Sequence, residues 1–463
     1  MKNSKTTNKR ILSGGRGMLK AAVLVSAILL ILVFALACKE EVINTIVNVD
    51  TPTPAFIPTI PPKDTPAPTD TPAPEVTAEP TEEPTPEVTE TPEPTEEPTP
   101  VPATPTPVPL TPTPVPATSE PTSVPGSATA SMVFVGDLMC LSMQQRGAMS
   151  QGAGLYEYDF RPTFEYVRYI LNRADCAVGN LETVLSPSSP YSTQLYQFEN
   201  GMPNLNGPQL YLMGVKYAGF DALVMANNHC LDGGITGIEE TLTAVENYGF
   251  AHTGLFRSES EKRYTMLTVK GIKVALLSYS EFFNYRESLV ADRPYMINKY
   301  SEAAVKNDVA AAKAAGAELV VAYNHWGAED THVPTQTVRQ HAQQMANAGV
   351  DVILGSHSHA VQPSVWLTAA DGRRVLCVYS MGNFVSSMDG QMANDTFITE
   401  IRIKREGAKV RVVEEYYHPV KVFTTLEGKW FVAVPTKEVW MPSIQYELDQ
   451  AHERIMNIIM SER

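Results

Sequence analysis

Short apolar runs alternate with longer amphipathic segments from residue 131 onward. The runs are rich in β-branched residues and are bounded by Gly, Asn and Asp, which is typical of buried strands. They predict strands at 132–135, 176–178, 222–225, 273–278, 319–322, 350–354 and 375–379. The intervening segments predict helices near 161–173, 207–218, 235–248, 301–315 and 335–348. This alternation indicates an α/β fold in which helices cover a sheet.

The C-terminal part has a different pattern. Three further strands are predicted at 396–403, 409–416 and 420–424, with no helix between them, which favours antiparallel pairing. A helix near 443–460 is amphipathic and should pack on the sheet. We therefore expect mixed sheets, or two sheets in a sandwich, with 127–385 as the main domain and 386–463 completing it.

The first 38 residues resemble an export signal. Six basic residues and no acidic one precede the apolar run 21–37, whose length suits a signal segment or a short membrane helix. The small residues before Cys38 resemble a bacterial lipoprotein signal, in which Cys38 is lipidated after cleavage. The alternative is an uncleaved signal anchor. Both place the rest of the chain outside the cytoplasm and tethered to the membrane.

Residues 39–126 have the composition of a linker. Twenty-five of the 36 prolines lie between residues 51 and 126, in repeats with threonine and glutamate. Such a segment cannot bury a core, and it favours a disordered, extended polyproline II chain. We expect it to hold the folded domain away from the membrane.

The charge and the cysteines narrow the classes of function. The net charge is −15, and the sequence of the folded part, 127–463, shows no basic patch, which argues against a nucleic-acid partner. Cys140, Cys176, Cys230 and Cys377 lack CxxC spacing, so a zinc ribbon is not predicted. They are either free and buried or paired in one of three disulfide connectivities.

Polar residues collect where the predicted strands end. In α/β sheets, ligands bind at the carboxyl ends of strands, so these side chains are expected to converge on one site. In chain order they are Asp137, Asn180, Glu182, Asn228, His229, Asp232, His325, His357, His359 and Asn383.

The donor types at these strand ends indicate a metal. Imidazoles, carboxylates and an amide oxygen suit one or two Zn, Mn or Fe ions, whereas Ca and Mg prefer oxygen ligands alone. On an extended strand residues i and i+2 face the same way, so His357 and His359 are expected to reach the site together. For His325 the alternative is a supporting or stacking position beside Trp326.

Six motifs follow one another between residues 131 and 385. They are GD (136–137), GNLE (179–182), NNHxxDxG (227–234), HWG (325–327), GSHSHxxQ (355–362) and SMGNF (380–384). Together they resemble the CapA family of poly-γ-glutamate capsule proteins, which is related to calcineurin-like metallophosphoesterases. The resemblance implies a four-layer αββα sandwich with a two-metal site.

The resemblance also implies roles for single residues. It makes His229 the group that stabilises or protonates a leaving oxygen, with Asp232 in support, and Asn180 and Asn383 residues that orient ligands. It makes these residues metal ligands: Asp137, Asn228, His325, His357 and His359.

The sequence departs from the phosphoesterase pattern at two places. The first motif is usually GDxH, but Leu138 and Met139 follow Asp137, so one histidine ligand is missing. Asn180 stands where a bridging aspartate is usual, and Glu182, two residues on, is therefore the predicted carboxylate ligand. The site could hold one metal ion or two.

Three functions remain open from the sequence. The first is a metal-dependent hydrolase that cleaves a phosphoester or an amide such as the γ-glutamyl link. The second is a non-catalytic accessory factor that helps a membrane synthase to make, export or anchor poly-γ-glutamate. The third is a polymer-binding module on a stalk, which the acidic charge disfavours for a polyanionic ligand.

Overall fold

The computed structural model describes residues 127–463 apart from Ala153 and Leu155. The predicted export signal, Cys38 and the Pro-rich linker lie outside the described residues and stay predictions. Within the described part, no helix is both long enough and apolar enough to cross a membrane.

Strands and helices are interspersed up to residue 356, and strands dominate after it. The strands are β1 (Ala128–Leu138), β2 (Cys176–Leu181), β3 (Ala222–Val224), β4 (Ala251–Thr253), β5 (Thr265–Val269), β6 (Ile272–Ser280), β7 (Leu319–His325), β8 (Val352–Ser356), β9 (Ser364–Thr368), β10 (Arg374–Val378), β11 (Asn383–Val385), β12 (Asp395–Glu406), β13 (Lys409–Leu426) and β14 (Lys429–Pro435). The α-helices are α1 (Ser142–Gly152), α2 (Arg168–Arg173), α3 (Tyr211–Ala218), α4 (Gly234–Asn247), α5 (Glu302–Ala314), α6 (Gln336–Ala348), α7 (Gln391–Asn394) and α8 (Gln445–Ile459). Short 3₁₀ helices cover Arg161–Phe164, Glu287–Val290 and Pro294–Met296.

The strands form two mixed sheets. Sheet 1 has the order β14-β13-β12-β1-β2-β3-β4, and β11 also pairs with β1. In this sheet β1 to β4 are parallel, whereas β12, β13 and β14 pair antiparallel. Sheet 2 has the order β5-β6-β7-β8-β10-β9, with a parallel centre and one antiparallel strand at each edge.

The two sheets pack face to face across an apolar core. Side chains alternate along a strand, and in β1 Met132 and Phe134 enter this core while Val133 and Val135 enter the core on the opposite face. Sheet 2 contributes alternate residues of β6, β7 and β8 to the same inner core, among them Val321. Each sheet is therefore buried on both faces, as its largely apolar strands require.

Helices cover the two outer faces. Leu212 of α3 and Leu242 of α4 belong to the core on the outer face of sheet 1. Val309 of α5 and Met345 of α6 belong to the core on the outer face of sheet 2. The layers run helix, sheet, sheet, helix, so the predicted αββα sandwich with mixed sheets is confirmed.

Several elements differ from those predicted. The helix expected over 161–173 is interrupted, because a 3₁₀ turn at Arg161–Phe164 precedes α2. The two strands expected at 409–416 and 420–424 are one strand, β13, which passes through Pro419. Pairing with β14 starts at Val420, so the ladder on that side begins just after the residue that lacks an N–H.

The four cysteines of the described residues are free and buried. Cys140 and Cys230 lie in the outer core of sheet 1, Cys176 in the inner core and Cys377 in the outer core of sheet 2. They pack as small apolar side chains. The sequence left open free buried cysteines or disulfide bonds, and free buried cysteines are observed.

Candidate metal centre

Both sheets bring polar side chains to the edge where their parallel strands end. Sheet 1 contributes the end of β1 and the segments after β2 and β3. Sheet 2 contributes the end of β7 and the turn after β8. The predicted ligands that meet there, all of them buried, are Asp137, Glu182, Asn228, His325, His357 and His359.

Gly136 allows two strands to approach closely at this edge. A Cβ atom at residue 136 would lie 1.8 Å from the carbonyl oxygen of Gly382. The N–H of Asp137 donates to the same carbonyl at 3.1 Å. Because the backbones touch here, β11 begins with Asn383 directly beside Asp137.

Glu182 lies between the groups contributed by the two sheets. It is fully buried, and within the described part of the chain neither carboxylate oxygen has a hydrogen-bond partner. Burial raises the pKa of Glu182 well above its usual value, and the nearby Asp137 carboxylate raises it further. A buried carboxylate without partners is costly, and a bound cation is the partner that would relieve the cost. This environment fits a metal ligand.

Two sets of potential ligand atoms share Glu182. In the first set, Glu182, His325 and His357 each place one atom within 4.8 Å of the others. In the second set, Asp137, Glu182 and His359 do the same. The donor set of imidazole nitrogens and carboxylate oxygens suits a divalent metal ion. The arrangement offers two neighbouring positions joined by one carboxylate.

The Nε2 atom of His325 is central to the first set. It lies 2.9 Å from Asn228 Oδ1, 3.0 Å from His357 Nδ1 and 3.4 Å from a Glu182 oxygen. Burial lowers the pKa of His325 to about 4. Burial, and then the neighbouring histidines, lower the pKa of His357 well below its usual value. Both rings are therefore neutral near pH 7, which is the form that binds metals.

The second set is held by amide side chains. His359 Nδ1 lies 2.8 Å from Asn383 Oδ1. Because an amide oxygen can only accept a hydrogen bond, the proton of the neutral ring is on Nδ1. The Nε2 atom of His359 is then free to act as a ligand. Asn180 Nδ2 donates to Asp137 Oδ1 at 2.7 Å, and the N–H of His357 donates to Oδ2 at 3.3 Å. Asn180 and Asn383 therefore contact the predicted ligands and can orient them.

The backbone at the two histidines corrects one step of the sequence reasoning. β8 ends at Ser356, and the φ angles of His357 and His359 are +93° and +52°. Residues other than glycine rarely adopt this left-handed conformation. The two rings diverge as a result, His357 toward His325 and His359 toward Asn383. The argument from i, i+2 on an extended strand is therefore wrong, although both histidines do reach the site.

His229 and Asp232 form a hydrogen-bonded pair beside the ligands. His229 Nδ1 lies 2.8 Å from Asp232 Oδ2, which also accepts from the N–H of Leu205 at 2.8 Å. Burial alone would lower the pKa of His229, but the Asp232 carboxylate, together with the charges of Glu182 and Glu329, raises the pKa above its usual value. His229 can therefore hold a proton near neutral pH while Asp232 fixes the orientation of the ring.

Two supporting residues were missed by the sequence reasoning. Ser356 Oγ lies 3.1 Å from His325 Nδ1, and Asn284 Oδ1 accepts from Asn228 Nδ2 at 3.2 Å. Ser356 is part of the GSHSH motif, so its position carried a signal. Asn284 lies in the loop after β6, in a left-handed conformation with φ +51°, and nothing in the local pattern singles it out.

Trp326 does not share the environment of His325. Its indole N–H donates to the Tyr379 carbonyl at 2.9 Å, and its ring belongs to the outer core of sheet 2. His325 faces the ligand cluster at the end of the same strand. Stacking of His325 on Trp326 is therefore not observed, and the role of His325 as a ligand stays a prediction.

A cleft of about 670 Å³ opens beside the cluster, and Asn228, His229 and His359 are among the residues that line it. Its lining also includes Glu329 and Asp389 but, among the residues described, no lysine or arginine. Any negative charge on a ligand would have to be met by the metal or by protonated histidine.

Comparisons with known proteins cover a large part of the described residues. The sequence profile described as bacterial capsule synthesis protein PGA_cap matches residues 131–388. The chain is 26% identical over 279 residues to the PGA biosynthesis protein CapA of Bacillus subtilis (strain 168), covering 60% of this chain and 68% of that protein. It is 26% identical over 284 residues to the capsule biosynthesis protein CapA of Bacillus anthracis, covering 60% of this chain and 65% of that protein. The solved structure of the calcineurin-like phosphoesterase YfkN from Bacillus subtilis aligns with a TM-score of 0.36 at 13% identity, over 72% of this chain and 99% of that chain.

Proposed function

Because the chain belongs to the PGA_cap family of bacterial capsule synthesis proteins, we propose that it acts in the synthesis of poly-γ-glutamate at the cell surface as a metal-dependent hydrolase. The role in poly-γ-glutamate synthesis is supported by the six ordered motifs and by two Bacillus relatives whose names refer to PGA and capsule biosynthesis. The hydrolytic activity is supported by the chemistry of the candidate centre.

One observation carries the hydrolase proposal. Glu182 is fully buried, neither of its oxygens has a hydrogen-bond partner among the residues that the structure describes, and it belongs to two sets of potential metal ligands. A protein that needed this residue only for packing would bury an apolar side chain there at lower cost. A carboxylate in this environment is best explained by a cation that it binds.

The residues that would hold the metal fall into two groups around Glu182. His325 and His357, with Asn228 beside them, form one group, and Asp137 and His359 form the other. The proposed ion is Zn, Mn or Fe, because nitrogen and oxygen ligands are mixed. When bound, such an ion supplies Lewis-acid polarisation of a phosphoryl or carbonyl oxygen.

The chain's own residues then have separate tasks. Asp232 holds Nδ1 of His229, so the other ring nitrogen is the one available to give a proton to a leaving oxygen. Asn383 fixes the tautomer of His359, and Asn180 fixes one oxygen of Asp137. These contacts hold the groups in place before a substrate arrives, which lowers the cost of ordering them during the reaction.

The proposal includes a place in the cell. Residues 1–38 tether the chain to the outer face of the membrane, through lipidated Cys38 or an uncleaved anchor, and 39–126 act as the linker. The partner is the polymer or its membrane synthase complex. The signal-like pattern of the N-terminal sequence supports this location.

Metal analysis of the purified full chain tests the proposal. We expect about one or two Zn, Mn or Fe ions per chain, and loss of most of this metal in His357→Ala/His359→Ala. Asp371→Asn is the control, since Asp371 is an exposed acidic residue paired with Arg373. Phosphodiesters and γ-glutamyl peptides are then tested for hydrolysis by the metal-containing protein.

The possible outcomes separate the functions. Metal lost in the double variant together with turnover lost in it supports the hydrolase. Metal without turnover of either substrate class favours the non-catalytic accessory role. A full chain that binds no metal, even after incubation with each of the three ions, contradicts the proposal.

A further inference from the structure

One wall of the cleft beside the candidate centre is apolar and rich in methionine. Three of its residues, with Met388 packed against them, form a small cluster separate from the main cores of the sandwich. Methionine is flexible and polarisable, and it suits surfaces that adapt to an apolar ligand. The wall, called here the methionine wall, consists of Met139, Leu141, Met143, Met202, Leu205 and Met388.

The methionine wall is physically joined to the proposed catalytic groups. The N–H of Leu205 donates to Asp232 Oδ2, the same oxygen that holds His229. At the other side, Asn383 Nδ2 lies 3.5 Å from the sulfur of Met388. Groups that react at His229 would therefore have the methionine wall directly beside them.

The charge of the cleft also favours an uncharged, apolar ligand. Glu329 and Asp389 line it, and the described residues contribute no lysine or arginine to the lining. A poly-γ-glutamate chain carries one carboxylate per residue, and those beyond reach of the metal and of His229 would meet like charge here. An uncharged apolar group would lose less on leaving water and would gain contact with the methionine wall.

We propose that the methionine wall is the subsite for an apolar leaving group, and that the substrate is a phosphoester of an aliphatic alcohol and not the polyglutamate chain. This inference rests on the proposed hydrolase function and narrows it to one substrate class. The phosphoryl group lies at the candidate centre and the aliphatic part lies along the methionine wall.

The reaction balances with groups already named. The oxygen of a water molecule forms a bond to phosphorus, and the bond between phosphorus and the alcohol oxygen breaks. His229 gives its proton to the departing oxygen, and the proton released by the attacking water restores it. The products are the alcohol and the phosphate with one ester bond fewer.

Binding of non-hydrolysable alkylphosphonates tests the inference without relying on turnover. The full chain is loaded with Mn²⁺ and titrated calorimetrically with methylphosphonate, butylphosphonate and a γ-linked glutamate tetramer. Each fully buried methylene contributes about a fourfold gain in affinity. Butylphosphonate should therefore bind at least about tenfold tighter than methylphosphonate, and the glutamate tetramer should bind more weakly than butylphosphonate.

Two variants of helix α1 provide a matched pair. Met143 lines the cleft and is 40% exposed, whereas Met149 on the same helix is 48% exposed and does not line it. Met143→Lys places a charge on the methionine wall and should reduce the preference for butylphosphonate to less than about threefold. Met149→Lys adds the same charge to the same helix and should leave the preference unchanged.

The outcomes distinguish this inference from the function on which it rests. Equal, metal-dependent binding of the two phosphonates overturns the apolar subsite and leaves the hydrolase proposal standing. An equal loss of preference in both lysine variants also overturns the subsite, because the effect is then one of general charge. Absence of any phosphonate binding in the Mn²⁺-loaded chain overturns the inference, whereas metal binding with turnover of γ-glutamyl peptides would still support the hydrolase proposal.

Discussion

Replacing Glu182 by glutamine should change stability in opposite directions with and without metal. Neither oxygen of the buried Glu182 has a hydrogen-bond partner in the described part of the chain, and burial, followed by the Asp137 carboxylate, raises the pKa of Glu182. Glutamine has nearly the same shape, and its NH₂ group can donate to the Asp137 carboxylate. In metal-free protein, Glu182→Gln should therefore stabilise the fold by roughly 1–3 kcal/mol, the usual cost of an unsatisfied buried polar group.

The expected shift in Tm follows from the size of the domain. At about 2.1 cal/mol/K per residue, a folded part of about 340 residues has an unfolding entropy near 0.7 kcal/mol/K, so 1 kcal/mol corresponds to roughly 1.4 °C. The variant should melt roughly 1.5–4 °C higher than the native chain in chelator. Metal at about 1,000 times its Kd stabilises the native chain by about 4 kcal/mol, or roughly 6 °C, and the variant should lose most of this gain.

Scanning calorimetry in chelator and in excess Mn²⁺ measures both effects. The expected signature is a reversal of order, with the variant more stable without metal and the native chain more stable with it. Asp308→Asn is the control, because Asp308 is a buried carboxylate on α5 that accepts from the Tyr279 hydroxyl at 2.8 Å. A Glu182→Gln protein that melts lower in chelator and keeps the full metal-induced shift would refute the assignment of Glu182 as a ligand.

Three further perturbations test other parts of the structure. Asp232→Asn should lower kcat about 100-fold or more with metal content unchanged, because His229 loses the carboxylate that holds its proton; equal loss of metal and kcat would contradict this. Gly136→Ala should destabilise the chain by about 3 kcal/mol in urea titrations, because its Cβ would lie 1.8 Å from a backbone carbonyl oxygen that cannot move aside; a loss below about 1 kcal/mol would contradict this. Burial lowers the pKa of His418, but hydrogen bonds to Glu400 and Glu438 raise this pKa overall above 6.5. Protonated His418 therefore stabilises the fold below pH 6.5, and this stabilisation is lost as the pH rises through the raised pKa. His418→Gln should therefore cost roughly 1–2 kcal/mol at pH 5.5 and clearly less at pH 9, and an equal cost at both pH values would contradict the assignment.

The layered fold could be predicted because its strands are nearly continuous apolar runs. Strands β1, β2, β3, β6, β7, β8 and β10 are buried almost throughout, so their apolar residues mark them in the sequence. Edge strands β5 and β9 are only partly buried and give a weak pattern. Such edges are set by pairing with a neighbour, which local sequence does not encode.

Helix α1 shows why some elements leave no pattern. Its buried positions include Gln144 and Gln145, whose side-chain amides donate to the carbonyls of Met139 and Cys140 at 2.8 Å. A helix that buries hydrogen-bonded glutamines lacks the apolar repeat by which amphipathic helices are found. The methionine wall depends in part on this helix, so the cleft could not be predicted from periodicity.

The residues of the candidate centre were easier to predict than their arrangement. The strand-end rule brought Asp137, Glu182 and His325 to one edge because it depends only on topology. It could not predict the left-handed backbone at His357 and His359, whose contacts with Asp137 and Asn383 join residues that are distant in sequence. It also could not show that Glu182 is shared by two sets of ligand atoms.

The candidate centre is built half from each sheet, and this has a consequence for how the protein matures. The N–H of His357 meets the Asp137 carboxylate across 220 positions of sequence. A truncated product that ends before β7 could form the parallel strands of sheet 1 and would still lack all three histidine ligands. The centre therefore forms only when the two sheets have packed together. The metal content of a preparation would then measure the fraction of chains that have folded completely.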